Sequence, residues 1–103
     1  MRAAAIFPSE RRIGVLEQPE PQILSPSQVA IGVLEVGVCG TDREIASFRY
    51  GSPPEGDEHL VIGHEALGEV VEVGTSVHRL RPGDLVVPTV RRPCRHLGCR
   101  ACR

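Results

Sequence analysis

The sequence feature that most constrains the fold is the apolar run Val29–Val38 (VAIGVLEVGV), which ends directly before a cysteine. Its β-branched residues favour an extended chain, and its lack of polar alternation predicts a strand that is buried on both faces. Gly32 and Gly37 inside the run predict bends or bulges. Since the chain has 103 residues, it has room for one domain built around this strand.

The other apolar segments also have the length of strands and are separated by turn residues. Met1–Phe7 and Ile13–Glu17 predict an antiparallel pair, and Gly68–Val73 and Leu85–Val87 predict two more strands. The sequence Arg81–Asp84 (RPGD) predicts the turn before the last of them. Many short strands with closely spaced turns are typical of barrel-like β domains.

A short helix is predicted after the long strand. Thr41 fits its N-cap, and the side chain of Glu44 would reach back to that cap. The Pro/Gly-rich residues 50–58 (YGSPPEGDE) must end the helix. Toward the end of the chain the composition changes to Arg and Cys, with few core-forming residues. We therefore predict a mostly β, barrel-like domain over residues 1–93 and a Cys-rich lobe over residues 94–103.

Three residues near strand ends form a candidate catalytic metal site. Cys39 lies between the long strand and the helix start, where amide N–H groups favour the thiolate. His64 and Glu65 follow Gly63, and a thiolate, an imidazole and a carboxylate suit a zinc ion with an open position. From spacing alone this interpretation is only slightly favoured. Cys39 as a buried core thiol, His64 as a structural histidine and Thr41 as a plain helix cap remain alternatives.

A second set of cysteines suits a structural zinc site. Cys94 and Cys99 are separated by four residues, and Cys99 and Cys102 by two. Four thiolates close a structural zinc site, and this set has three. His96 is a poor substitute because it lies inside the first loop. We therefore expect the lobe and its ligand set to continue beyond Arg103.

Charge and hydropathy argue against nucleic-acid and membrane partners. Residues 1–90 carry 7 Arg against 13 acidic residues, and residues 91–103 carry 5 Arg and no acid. No aromatic residue is interleaved with this basic end, so nucleic-acid binding is disfavoured. No segment has the length of a membrane span or of a signal-peptide core. These features predict a cytoplasmic protein with reduced thiols.

The order of the motifs resembles a known family. C-G-T-D at residues 39–42 is followed by GHEALGEVVEVG at residues 63–74, by R-P-G-D at residues 81–84 and by the cysteine cluster. This order is similar to that of the N-terminal GroES-like domain of zinc-dependent medium-chain dehydrogenases. The resemblance covers essentially the whole chain and implies a partly open barrel with one or two short helices. Residues 39–68 and Pro88–Pro93 look most like the microbial glucose dehydrogenase branch.

The resemblance also implies roles for individual residues. Cys39 and His64 would be ligands of the catalytic zinc, and Glu65 would bind it directly or alternate with water. Thr41 would hydrogen-bond the reacting hydroxyl and begin a proton relay. Asp42 would orient His64 from outside the ligand set.

The function that the resemblance implies is oxidation of the anomeric hydroxyl of an aldose such as glucose, with hydride transfer to NAD or NADP. Thr41, Glu65 and Thr89 would meet the substrate hydroxyls. The 103 residues contain no G-x-G-x-x-G motif, so we expect a Rossmann domain elsewhere in a longer, homo-oligomeric enzyme and no activity from this part alone. The alternatives are another polyol or alcohol dehydrogenase and a non-enzymatic GroES-like scaffold. A scaffold has no need of the Cys39 and His64 constellation.

Overall fold

The computed structural model describes residues 1–90, 94, 96 and 98–100. Strands dominate this part of the chain, which confirms the mostly β prediction. In chain order, the described elements are β1 (Arg2–Phe7), β2 (Arg12–Glu17), β3 (Val29–Gly37), α1 (Gly40–Ala46), β4 (Leu60–Val61), β5 (Glu65–Val73) and β6 (Leu85–Val86).

The strands form two antiparallel sheets of three strands each. Their orders are β2-β1-β4 and β3-β5-β6. The predicted pair at the start of the chain is confirmed, since β1 and β2 pair from Arg2 opposite Glu17 to Phe7 opposite Arg12. No described strand joins one sheet to the other, so the barrel is open.

The prediction that the apolar run is buried on both faces is wrong. The first four residues of β3 are half-buried, but Val33, Leu34 and Val36 are 52% to 60% exposed. The physical reason is that β3 is an edge strand and that no described element other than β5 packs extensively against it. The irregularity predicted near Gly32 is confirmed, because the β3–β5 register shifts between Ala30 and Ile31 and again between Val33 and Glu35. The one predicted at Gly37 is wrong, since the pairing is regular from Glu35 to Gly37.

The strand that is buried on both faces is β1. Ala5 and Ile6 are neighbours that point to opposite faces of the sheet, and they are 0% and 1% exposed. Because β1 is the central strand of its sheet, it has a neighbour on each side. Val70 of β5 and Ile45 of α1 are the other buried apolar side chains in the described part of the chain.

The helix begins two residues earlier than predicted. Cys39, not Thr41, is the N-cap, and the residue that reaches back is Asp42, not Glu44. The shorter carboxylate of Asp42 accepts a hydrogen bond from the Cys39 backbone N–H at 2.8 Å, which stabilises the first turn. The plain cap role for Thr41 is therefore wrong. No helix in the described residues is long and apolar enough to cross a membrane.

The predicted turn at residues 81–84 is confirmed. The Asp84 backbone N–H donates to the Arg81 carbonyl at 3.1 Å, and the Asp84 carboxylate accepts from the Arg81 N–H at 2.8 Å. Gly83 has a φ of 94°, which the second central residue of such a turn requires. The turn leads the chain into β6 beside Val70.

Candidate metal centre

The structure brings together the three residues of the predicted catalytic site. Cys39 follows β3, His64 immediately precedes β5, and Glu65 is the first residue of β5. One ligand atom from each of them lies within 4.8 Å of the other two. Cys39 and His64 are half-buried and Glu65 is exposed. These three are the one group of potential metal ligands found among the described residues.

Strand pairing explains this convergence. Because β3 and β5 are antiparallel, the end of β3 lies beside the start of β5, and Gly37 pairs with Glu65. Cys39 is two residues beyond that pair, and His64 is one residue before it. Gly63 turns the chain into His64 with a φ of 112°, a conformation that glycine adopts without steric strain.

The Asp42 carboxylate contacts both Cys39 and His64. One carboxylate oxygen accepts the Cys39 backbone N–H at 2.8 Å, and the other lies 3.3 Å from His64 Nδ1. The hydrogen bond from Cys39, with the nearby imidazole of His64, holds the pKa of the Asp42 carboxyl below its usual value, against the effect of burial. Asp42 is therefore ionised at neutral pH and suited to accept a hydrogen bond from His64 Nδ1.

This arrangement determines which imidazole nitrogen can bind a metal. With the ring proton on Nδ1, the lone pair of His64 Nε2 points toward Cys39 Sγ, 3.2 Å away. A sulfur and a nitrogen bound to one tetrahedral zinc are about 3.5 Å apart, given bond lengths of about 2.3 and 2.0 Å. A carboxylate on the second ring nitrogen is also the usual partner of metal-bound histidines.

The residues fit a zinc ion in both chemistry and spacing. Cys39 and His64 would hold it, and they are close to ligand separation without further movement. Glu65 completes a set of sulfur, nitrogen and oxygen ligands. Its carboxylate oxygen lies up to 4.8 Å from the other ligand atoms, which is farther than two ligands of one zinc ion lie from each other. A shift of about 1.3 Å would bring its carboxylate to the separation of two zinc ligands, and binding by Glu65 stays a prediction.

A cleft of about 570 Å³ opens beside the candidate ligands. Thr41 lines it together with Cys39, His64 and Glu65. The remaining wall is apolar apart from an exposed tyrosine: Ile45, Tyr50, Leu60, Val61, Ile62 and Val90. Sequence reasoning did not single out Ile45, Val61 and Ile62, because apolar side chains carry no polar signal.

The other predicted site residues are less closely connected to this cleft. Thr89 is exposed, and its neighbour Val90, not Thr89 itself, lines the cleft. Cys94 is exposed and Cys99 half-buried, and the Cys99 backbone N–H donates to the His96 carbonyl at 3.1 Å. Cys102 and residues 91–93 lie outside the described residues, so the structural zinc lobe and the proposed domain limits stay predictions.

Known proteins are similar in sequence to most or all of this chain. The chain is 51% identical over 94 residues to the glucose 1-dehydrogenase of Thermoproteus tenax, covering 90% of this chain and 27% of that protein. It is 45% identical over 106 residues to the glucose 1-dehydrogenase of Methanocella arvoryzae, covering 100% of this chain and 28% of that protein. The chain thus spans roughly a quarter of the length of these curated relatives.

A solved structure and a family model lead to the same family as these relatives. The glucose dehydrogenase of Haloferax mediterranei, in complex with NADP, Zn and gluconolactone, superposes with a TM-score of 0.76 at 46% identity, covering 90% of this chain and 25% of that one. The family described as the alcohol dehydrogenase GroES-like domain matches residues 25–103, which include both halves of the candidate metal centre. The chain therefore belongs to the alcohol dehydrogenase GroES-like domain family.

Proposed function

We propose that this chain is the zinc- and substrate-binding domain of an NAD- or NADP-dependent dehydrogenase that oxidises an aldose such as glucose at its anomeric hydroxyl. The observation that carries the proposal is the contact of Cys39 Sγ with His64 Nε2, backed by Asp42 and open to a cleft. The relatives support the substrate class, since they are glucose 1-dehydrogenases and one solved structure holds NADP, Zn and gluconolactone.

The protein residues divide the chemical work among them. A zinc ion held by Cys39 and His64 would supply a Lewis acid that lowers the pKa of the substrate hydroxyl. Asp42 keeps the proton of His64 on Nδ1, so that Nε2 stays available as a ligand. Thr41, whose side chain is not used as the helix cap, lies at the cleft. Its hydroxyl would accept a hydrogen bond from the anomeric hydroxyl and begin a proton relay toward solvent.

The reaction balances without any other reactant than the nicotinamide. The hydroxyl proton passes along the Thr41 hydroxyl to solvent water, and the hydrogen on the anomeric carbon leaves as a hydride for the oxidised nicotinamide. The anomeric carbon of the closed pyranose ring thereby becomes the carbonyl carbon of a lactone. The two electrons of this hydride would reduce the nicotinamide. The 103 residues contain no G-x-G-x-x-G motif, so residues outside them would have to hold that cofactor.

The cleft has the mixed lining that a sugar requires. Thr41 and the exposed carboxylate of Glu65 present hydrogen-bonding groups for hydroxyls, and Thr89 is next to the cleft residue Val90. The apolar wall suits the C–H faces of a pyranose ring. A site that hydrogen-bonds each substrate hydroxyl rejects an analogue that lacks one, because its own polar groups are left unpaired.

Substrate profiling of the full-length enzyme tests the proposed substrate class. We expect a far higher kcat/KM for glucose or a related aldose than for a simple aliphatic alcohol. A strong preference for aliphatic alcohols would rule out the aldose assignment. Loss of bound zinc should follow Cys39→Ser, and a variant that keeps full zinc and activity would rule out the metal centre.

The role of Thr41 has a separate test. Thr41→Val in the full-length enzyme should leave the zinc content unchanged and lower kcat by about 100-fold or more, because only the proton relay is removed. Thr75→Val is the matched control, since Thr75 is exposed and lies outside the cleft lining. An unchanged kcat for Thr41→Val would show that Thr41 has no part in proton transfer.

We further infer a cytoplasmic location and a homo-oligomeric full-length enzyme. Cys39 forms no disulfide, and a thiolate ligand set is most stable in a reducing compartment. Cell fractionation tests the location. Light scattering of the full-length enzyme tests the oligomer, and a monomer at micromolar concentration would contradict it.

A further inference from the structure

Gly37 lies directly opposite Glu65 in the β3–β5 pair. A Cβ atom placed on Gly37 would be 2.8 Å from the Oε2 atom of Glu65 and 3.2 Å from its Cβ atom. Directly opposed residues of antiparallel strands normally have Cβ atoms about 4.5 to 5.5 Å apart. A side chain at position 37 would therefore be unusually close to Glu65, because the Glu65 side chain already fills the space beside Gly37.

The backbone itself does not require glycine at this position. The φ angle of Gly37 is not positive, whereas that of Gly63 is. An alanine at position 37 would thus adopt the same backbone conformation, and its only cost would be the contact with Glu65. Because the stem and the tip of Glu65 both approach the added Cβ atom, rotation of the carboxylate alone cannot relieve the contact.

We propose that Gly37 is a positioning residue for Glu65, and that the missing side chain at position 37 is the space that keeps the Glu65 carboxylate beside Cys39 and His64. The inference rests on the proposed metal centre. A methyl group at position 37 moves the carboxylate away from the ligand set. The contacts of His64 with Cys39 and Asp42 do not involve this space and remain.

Cobalt titration of four proteins tests the proposal: wild type, Gly37→Ala, Glu65→Ala and the double variant. The visible absorption of Co²⁺ reports both the affinity and the ligand set. We expect Gly37→Ala to weaken Co²⁺ binding by about 10-fold, the lower end of the effect of residues that orient metal ligands. We expect the double variant to bind Co²⁺ no more weakly than Glu65→Ala, since Gly37 acts only through Glu65.

Gly32→Ala is the matched control. Gly32 lies on the same strand, and its added Cβ atom would meet Val71 Cγ2 at 3.2 Å instead of Glu65. We expect this variant to bind Co²⁺ with the wild-type spectrum and affinity. If Gly37→Ala weakens binding equally with and without Glu65, its effect runs through the strand and the proposal is wrong.

A measurement without metal separates this proposal from the proposed function. The ¹³C resonance of the Glu65 carboxylate, assigned by its loss in Glu65→Ala, should shift in Gly37→Ala and stay in place in Gly32→Ala. An unchanged resonance in Gly37→Ala would overturn the positioning role. If the wild-type protein binds no Co²⁺ at all, the proposed metal centre fails, and the carboxylate resonance still decides what Gly37 does.

Discussion

Replacement of Asp42 by asparagine tests the metal centre with almost no change in side-chain shape. The two carboxylate oxygens of Asp42 face two donors, the Cys39 backbone N–H at 2.8 Å and His64 Nδ1 at 3.3 Å. An asparagine side chain has one acceptor oxygen and one NH₂ group. Asp42→Asn can therefore accept one of these hydrogen bonds and must present a donor to the other group.

The contact distances indicate which hydrogen bond is kept. The Cys39 N–H is the shorter contact and belongs to the first turn of α1, so the amide oxygen should stay there. The amide NH₂ then faces His64 Nδ1 and moves the ring proton to Nε2. That atom lies 3.2 Å from Cys39 Sγ and loses the lone pair that a metal needs. Disturbing the partner of a ligating histidine lowers metal affinity by about 10- to 100-fold, and we expect a loss in that range.

The assay is a Co²⁺ titration, together with ¹⁵N NMR of the His64 ring. Asp84→Asn is the matched control, because the Asp84 carboxylate also accepts a backbone N–H at 2.8 Å but does not orient a histidine. We expect Asp84→Asn to bind Co²⁺ as the wild type does. Wild-type affinity in Asp42→Asn, with the His64 ring proton still on Nδ1, would refute the reasoning.

Two further predictions concern metal retention and the core. The 103-residue chain should retain fewer than two zinc ions after dialysis against a weak chelator, because open ligand sets bind less tightly than closed ones; two retained ions by metal analysis would contradict this. Ile6→Ala should lower the free energy of unfolding by about 2 to 5 kcal/mol, since Ile6 is 1% exposed. Its cross-strand partner Ile13 is 54% exposed, and Ile13→Ala should cost less than about 1 kcal/mol. Equal losses in urea unfolding would contradict the burial argument.

Features that depend on residues close in sequence were predictable. The β1–β2 pair follows from two short apolar runs around a polar turn, and the turn at residues 81–84 follows from its Pro-Gly pair. The candidate metal residues Cys39, His64 and Glu65 were also identified, although spacing alone barely favoured them over core residues. In each case the signal is local, because strand period and turn chemistry are properties of a few consecutive residues.

Two expectations failed because they required knowledge of neighbours. The apolar run was expected to be covered on both faces, but β3 is an edge strand and its last five residues are exposed. Hydrophobicity indicates that a strand can be buried, whereas its place in the sheet determines whether it is. The helix begins two residues before the predicted start, because Asp42 hydrogen-bonds back to Cys39. The sequence alone allows more than one residue of this segment to be the N-cap.

The sequence by itself therefore determined most of the strands, the turn at residues 81–84 and the kinds of ligand atom available, but not β4 or the first three residues of β5. Only the tertiary structure decided which of these atoms meet. Cys39 and His64 are 25 residues apart in the chain and 3.2 Å apart in space, and Gly37 lies against Glu65. The physical reason is that an antiparallel register fixes contacts between distant residues, whereas the alternation along one strand specifies only which face each side chain occupies.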